Sequence, residues 1–104
     1  MAERIIRWSE TAQRQRLNVL RYWNKRTGSP QYSNKLIQLI YNRLQIIKNN
    51  PEAFDLIGLE EIRRCEMGNF SLFYVFNTEE ISIVNFWDNR QDPDKLKDII
   101  ERST

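Results

Sequence analysis

The chain has 104 residues, 12% of them aromatic, with a formal net charge of +2 and a pI near 8.8. That length gives one domain (residues 1–104) with a single core, and the mildly basic balance falls short of the electrostatic footprint of a dedicated nucleic-acid binder. No histidine, one cysteine and three isolated glycines (Gly28, Gly58, Gly68) leave no internal disulfide, no Cys/His zinc cluster, no phosphate-cradling glycine loop and no imidazole base.

No cofactor or metal site is therefore expected. The opening "MAERIIRWSE" lacks the apolar stretch of a signal peptide, and nowhere do 18 apolar residues follow one another. A cytosolic protein with no membrane partner is the expectation. Cys65 lies among apolar neighbours and reads as a buried, inert thiol.

In chain order, residues 4–8 ("RIIRW") read as a short strand. Ser9 then looks like an N-cap, with a helical pattern running from Ala12 through Val19, Leu20 and Trp23 to Gly28. This helix carries Arg14, Arg16, Arg21, Lys25 and Arg26. Ser29-Pro30 starts a second helix and Asn49-Asn50-Pro51 stops it. Between them Ser33, Leu36, Ile37, Ile40, Leu44 and Ile47 recur at spacings of three and four, the mark of a core-facing stripe. The two- or three-residue turn between these helices predicts an antiparallel hairpin.

Beyond a loop at 51–59 the period changes to two. Residues 61–67, 70–76 and 81–87 are rich in β-branched and aromatic side chains, and "GN" at 68–69 and "NTEE" at 77–80 separate them. A three-stranded antiparallel meander is expected. Its last two strands, apolar on both faces, should be central and covered on at least one side by the helices. Asp92-Pro93 then N-caps a short helix through Leu96, Ile99 and Ile100. The class is α+β, with helices segregated to one face of a small sheet.

The ordered set "WSETA", "YW..R.GS..YS.KL", "NP", "FSLFY" and "FWDNRQDP" resembles the RelE/ParE superfamily of toxins from type II toxin–antitoxin systems, often called plasmid-stabilisation proteins. The resemblance covers about residues 4–96. It implies a bacterial, cytoplasmic toxin with a compact α+β fold, whose N-terminal strand joins the sheet edge beside the last strand of a twisted antiparallel sheet. It also implies growth inhibition on release from a cognate antitoxin that wraps the toxin in a hetero-oligomer. RelE-like members cut mRNA on the ribosome, whereas ParE-like members inhibit DNA gyrase.

RNA cleavage without a metal needs a base, an acid and cations at the phosphorane. Arg63, Arg64 and Arg90 are the candidate catalytic residues, since a guanidinium grips phosphate in two-point fashion and stays charged. Arg63 or Arg64 and Arg90 fall where the resemblance implies basic residues. Ser71 stands where cleaving members carry an arginine in "Y-R-L-V-Y", and Leu96 where some carry a C-terminal tyrosine. The stretch Asp88–Arg90 overlies the His-Tyr ending of other members and has neither.

Tyr74, Trp8, Trp23 and Trp87 read as packing residues before they read as a site. For Arg90 the competing reading is a turn-stabilising pair with Asp88 or Asp92. Two further functions stay open: a degenerate, non-toxic module that binds an antitoxin and regulates its own operon, and a stand-alone nucleic-acid-binding domain resting on the basic first helix.

Overall fold

The computed structural model describes residues 3–58 and 61–90. Its elements are β1 (Ile5–Trp8), α1 (Glu10–Thr27), α2 (Gln31–Asn49), β2 (Asp55–Leu56), β3 (Arg63–Met67), β4 (Phe70–Phe76) and β5 (Glu80–Asp88). The helix expected from Asp92 and Pro93 through Leu96 to Ile100 lies outside the described residues.

Ser9 turns the strand into the helix. Its backbone is extended, its Oγ accepts from Ala12 N at 3.0 Å, and the same hydroxyl donates to Val84 O at 3.1 Å. With Ser9 N donating to Ile83 O at 2.9 Å, one residue caps α1 and fastens it to β5. At the other end Gly28 takes a left-handed φ of 67° and its N–H reaches Asn24 O, a conformation that costs glycine little.

The helical hairpin forms as the spacing predicts. Gly28, Ser29 and Pro30 make the turn, and Ser29 Oγ accepts from Gln31 N at 3.2 Å although α2 begins one residue later than expected. Buried Ser33 locks the two helices, its Oγ lying 2.6 Å from Asn24 Oδ1 and 3.2 Å from Leu20 O. Of the expected stripe, Ser33, Leu36, Ile40, Leu44 and Ile47 are buried, but Ile37 is not. It points along the outer seam with α1 rather than into the sheet.

The five strands run β1-β5-β4-β3-β2. β3, β4 and β5 form the expected antiparallel meander, and the two-residue Gly68-Asn69 connection has a positive φ only at Gly68, the sign pattern of a II′ hairpin. β1 joins the edge beside β5, in parallel, so the sheet is mixed rather than purely antiparallel. A parallel pair needs a long crossover, and the two helices and the meander that separate β1 from β5 supply one. The two-residue β2 adds a second edge that the loop at 51–59 did not announce.

β4 and β5 lie inside the sheet, as their apolar faces require, and the short β2 makes β3 an inner strand too. On the helix side Cys65, Leu72, Tyr74, Ile81, Ile83 and Phe86 pack with Ala12, Leu36, Ile40, Leu44 and Ile47. A second cluster of Ile62, Phe73 and Trp87 sits on the opposite face. A bulge between Phe73 and Tyr74 shifts the register against β5, and the Gln15 amide bridges the defect. Gln15 Oε1 accepts from Phe86 N at 2.7 Å, and Gln15 Nε2 donates to Asn85 Oδ1 at 3.4 Å. No helix among the described residues is long and apolar enough to cross a membrane.

Candidate functional site

The three candidate arginines enter three separate environments. Arg63 and Arg64 are neighbours on β3, so their side chains leave opposite faces of the sheet. Arg63 opposes Tyr74 and turns toward the segment that follows α2. Its Nη1 donates to Phe54 O at 2.7 Å and to Glu52 O at 3.3 Å, and its guanidinium lies 5.7 Å from the Phe76 ring centre. Backbone carbonyls thus take up part of the fork that would grip a phosphate.

Arg64 emerges on the face away from the helices. Its Nε donates to Ser71 Oγ at 3.0 Å and its Nη2 to Asn89 Oδ1 at 2.9 Å, while Ser71 Oγ donates to the same Asn89 oxygen at 2.7 Å. Glu66 stands 3.5 Å from Arg64 Nε, and the guanidinium covers Phe73. Asn89 is held in turn, since its Nδ2 donates to Gly68 O and its N–H to Asn69 O. Arg64, Ser71 and Asn89 therefore form one closed network over the hairpin end of the sheet.

Arg90 folds back toward the helices. Its Nε and Nη2 meet Asp88 Oδ1 and Oδ2 at 2.9 and 2.7 Å, a two-point pair, and its guanidinium lies 5.6 Å from the Trp23 ring centre. Hydrogen bonding from Arg90 holds the Asp88 carboxyl below its usual value, against the opposing effect of burial. The same bond raises the Arg90 pKa. Arg26 shares the aromatic support, 5.9 Å from the Trp23 ring, with its Nη1 donating to Tyr22 OH. Trp23 also packs against Tyr32.

The remaining candidates are structural in their contacts. Tyr74 is fully buried, its hydroxyl donates to Pro51 O at 2.6 Å, and burial pushes its pKa up to about 12. Cys65 is fully buried and its thiol is raised to about 11, again by burial. Trp87 belongs to the second core cluster, and Trp8 lies under the Arg16 guanidinium at 4.2 Å. Leu96 and Asp92 lie outside the described residues.

The structure thus brings Arg64 to Ser71 and Asn89, but it does not join Arg63 or Arg90 to them. The Arg64–Ser71 contact has a sequence signal: a two-residue turn at 68–69 sets Met67 opposite Phe70, which puts Glu66 opposite Ser71 and Arg64 diagonal to it. Asn89 carried no such signal, because its contact depends on where the chain leaves β5.

A family model described as the ParE toxin of the type II toxin–antitoxin system parDE matches residues 6–93. The chain belongs to the ParE toxin family. Membership makes it a type II toxin by family and brings an antitoxin as its expected kind of partner. Among solved structures, one titled "Chromosomal ParDE TA system from P. aeruginosa" superimposes with a TM-score of 0.67 at 18% identity. It covers 83% of this chain and 96% of that one, a likeness of fold. No curated protein sequence matches the chain. In this ParE-family chain the arginine fork, the serine and the asparagine are built into the scaffold at the hairpin end of the sheet.

Proposed function

We propose that this ParE-family chain arrests growth by binding a macromolecular target of the DNA gyrase class, without cutting RNA, and is held inactive by its antitoxin. The observation that carries this reading is the dispersal of Arg63, Arg64 and Arg90 into three separate environments, each guanidinium already hydrogen-bonded within the chain. Metal-independent phosphodiester cleavage needs cations, an acid and a base converging on one phosphate, about 3 Å from each reacting atom. The buried Tyr74 hydroxyl, already bonded to Pro51 O, is a poor acid/base, and the chain has no histidine.

The gyrase assignment is supported by the match to the ParE model over most of the chain. Purified chain added to gyrase, ATP and relaxed plasmid is expected to block supercoiling and to be relieved by the antitoxin. Translating ribosomes given the same chain should keep their mRNA intact. Uninhibited gyrase together with cut mRNA would reverse the assignment. Neither effect, with antitoxin binding retained, would favour a non-toxic, antitoxin-binding module.

A further inference from the structure

Charge is segregated along this chain. Between Glu10 and Glu52 there is no Asp or Glu, yet eight of the sixteen Lys and Arg fall there. A net charge of +2 therefore hides a basic helical hairpin, and at one end of it the cations meet aromatic rings. "RYWNKR" (21–26) lies in the last turns of α1 and "YSNK" (32–35) in the first turns of α2, while Arg90 arrives from the turn after β5.

Trp23 is the centre of this cluster. The Tyr32 ring packs 4.6 Å from it and the Tyr22 ring 5.3 Å, while the Arg26 and Arg90 guanidiniums lie 5.9 and 5.6 Å from its centre. Trp23 and Tyr32 are half-buried supports, whereas Tyr22 is 53% exposed. Lys25 and Arg26, three and four residues on, neighbour Tyr22 on the helix surface, and Arg26 Nη1 donates to its hydroxyl at 3.1 Å. Asp88 has both carboxylate oxygens on Arg90. Among the described residues no carboxylate lies within 4.0 Å of Arg21, Lys25, Arg26 or Lys35. Shallow grooves border the rings, one holding the Asn18 amide and the other the Gln31 amide.

An exposed ring set among cations is what a single nucleic-acid strand uses: phosphates meet the cations, a base stacks on the ring, and amides reach base edges. Duplex DNA would use the cations and leave Tyr22 idle, because its bases are already stacked. An acidic peptide would likewise leave the ring without a stacking partner. We propose that the end of the helical hairpin around Tyr22 and Trp23 is a binding site for single-stranded DNA, with Tyr22 as the stacking platform and Lys25 and Arg26 on the phosphates.

The choice of DNA rests on the reading of the target as gyrase-class, since such a target works on DNA. The test is fluorescence anisotropy with a labelled DNA strand of about 12 nucleotides, titrated with the full chain in about 50 mM salt. The parent is expected to bind this strand at least about threefold more tightly than a duplex of the same length. Tyr22→Ala should weaken binding at least about fivefold, and Tyr22→Phe, which keeps the ring, should retain most of it. Lys25→Gln with Arg26→Gln should weaken binding too, and flatten the slope of log affinity against log salt by about 1.4. Arg7→Gln with Arg14→Gln removes the same charge from exposed positions elsewhere and should stay within about twofold of the parent. Circular dichroism checks that each variant folds.

Binding by Tyr22→Ala within about twofold of the parent would overturn the proposal, as would an equal loss in the Arg7 and Arg14 control. Tighter binding to the duplex would leave only cations on phosphates, and RNA bound about tenfold more tightly would remove DNA as the ligand. No binding to any strand at about 100 μM chain would also overturn it. The titration holds no gyrase, so its failure leaves the gyrase reading standing. Uninhibited gyrase with strand binding intact would fail that reading alone.

Discussion

Asp88 and Arg90 close their pair where β5 gives way to the turn, and the side chain of Asp88 is much the more buried of the two. The Asp88 carboxyl titrates below its reference value of 3.8. A depressed carboxyl adds stability above the unfolded-state value and loses it as pH falls through the folded-state value. Asp88→Asn should therefore cost about 1 kcal/mol at pH 7, discounted because half of the arginine faces solvent. Denaturant unfolding at neutral and strongly acidic pH checks this, since the gap between parent and variant should close at acidic pH. A gap that persists would mean Asp88 acts through packing. For Cys65, full burial predicts that a thiol reagent reacts only at the rate of global unfolding, and fast labelling of the native chain would contradict the packing described.

At the scale of elements, Ser9 does two jobs with one hydroxyl, capping α1 and bonding Val84 O of β5. Ser9→Ala should cost about 1–2 kcal/mol and lower Tm by roughly 5–10 °C, measured by thermal denaturation. A change of under about 2 °C would mean that neither bond matters to the fold. Elements of this kind were legible in the sequence because their signals are local. Ser9, Gly28 and Asn49-Asn50-Pro51 punctuate the helices, and Gly68-Asn69 fixes the hairpin. What was not legible depends on distant partners. Arg63 is bonded to carbonyls of the segment after α2, Ile37 faces a seam instead of the core, and β2 exists only because β3 offers an edge. Helical spacing places a residue on a side of its helix, but the packing angle decides what that side meets.

On the scale of the whole molecule, the helices cover one face of the sheet, and every cation between Glu10 and Glu52 rides on that hairpin. The opposite face presents the closed Arg64–Ser71–Asn89 network. The α+β class, the meander and the edge position of β1 were readable from periodicity and family resemblance. The candidate site was readable only in its residue types, because convergence is a property of side-chain direction. Inducing the chain without its antitoxin, then following growth, mRNA 5′ ends and plasmid supercoiling in the same culture, tests non-cleaving inhibition most directly. Growth arrest with lost supercoiling and intact mRNA is the expected result. New mRNA 5′ ends inside translated frames that disappear with Arg64→Ala or Arg90→Ala would contradict it.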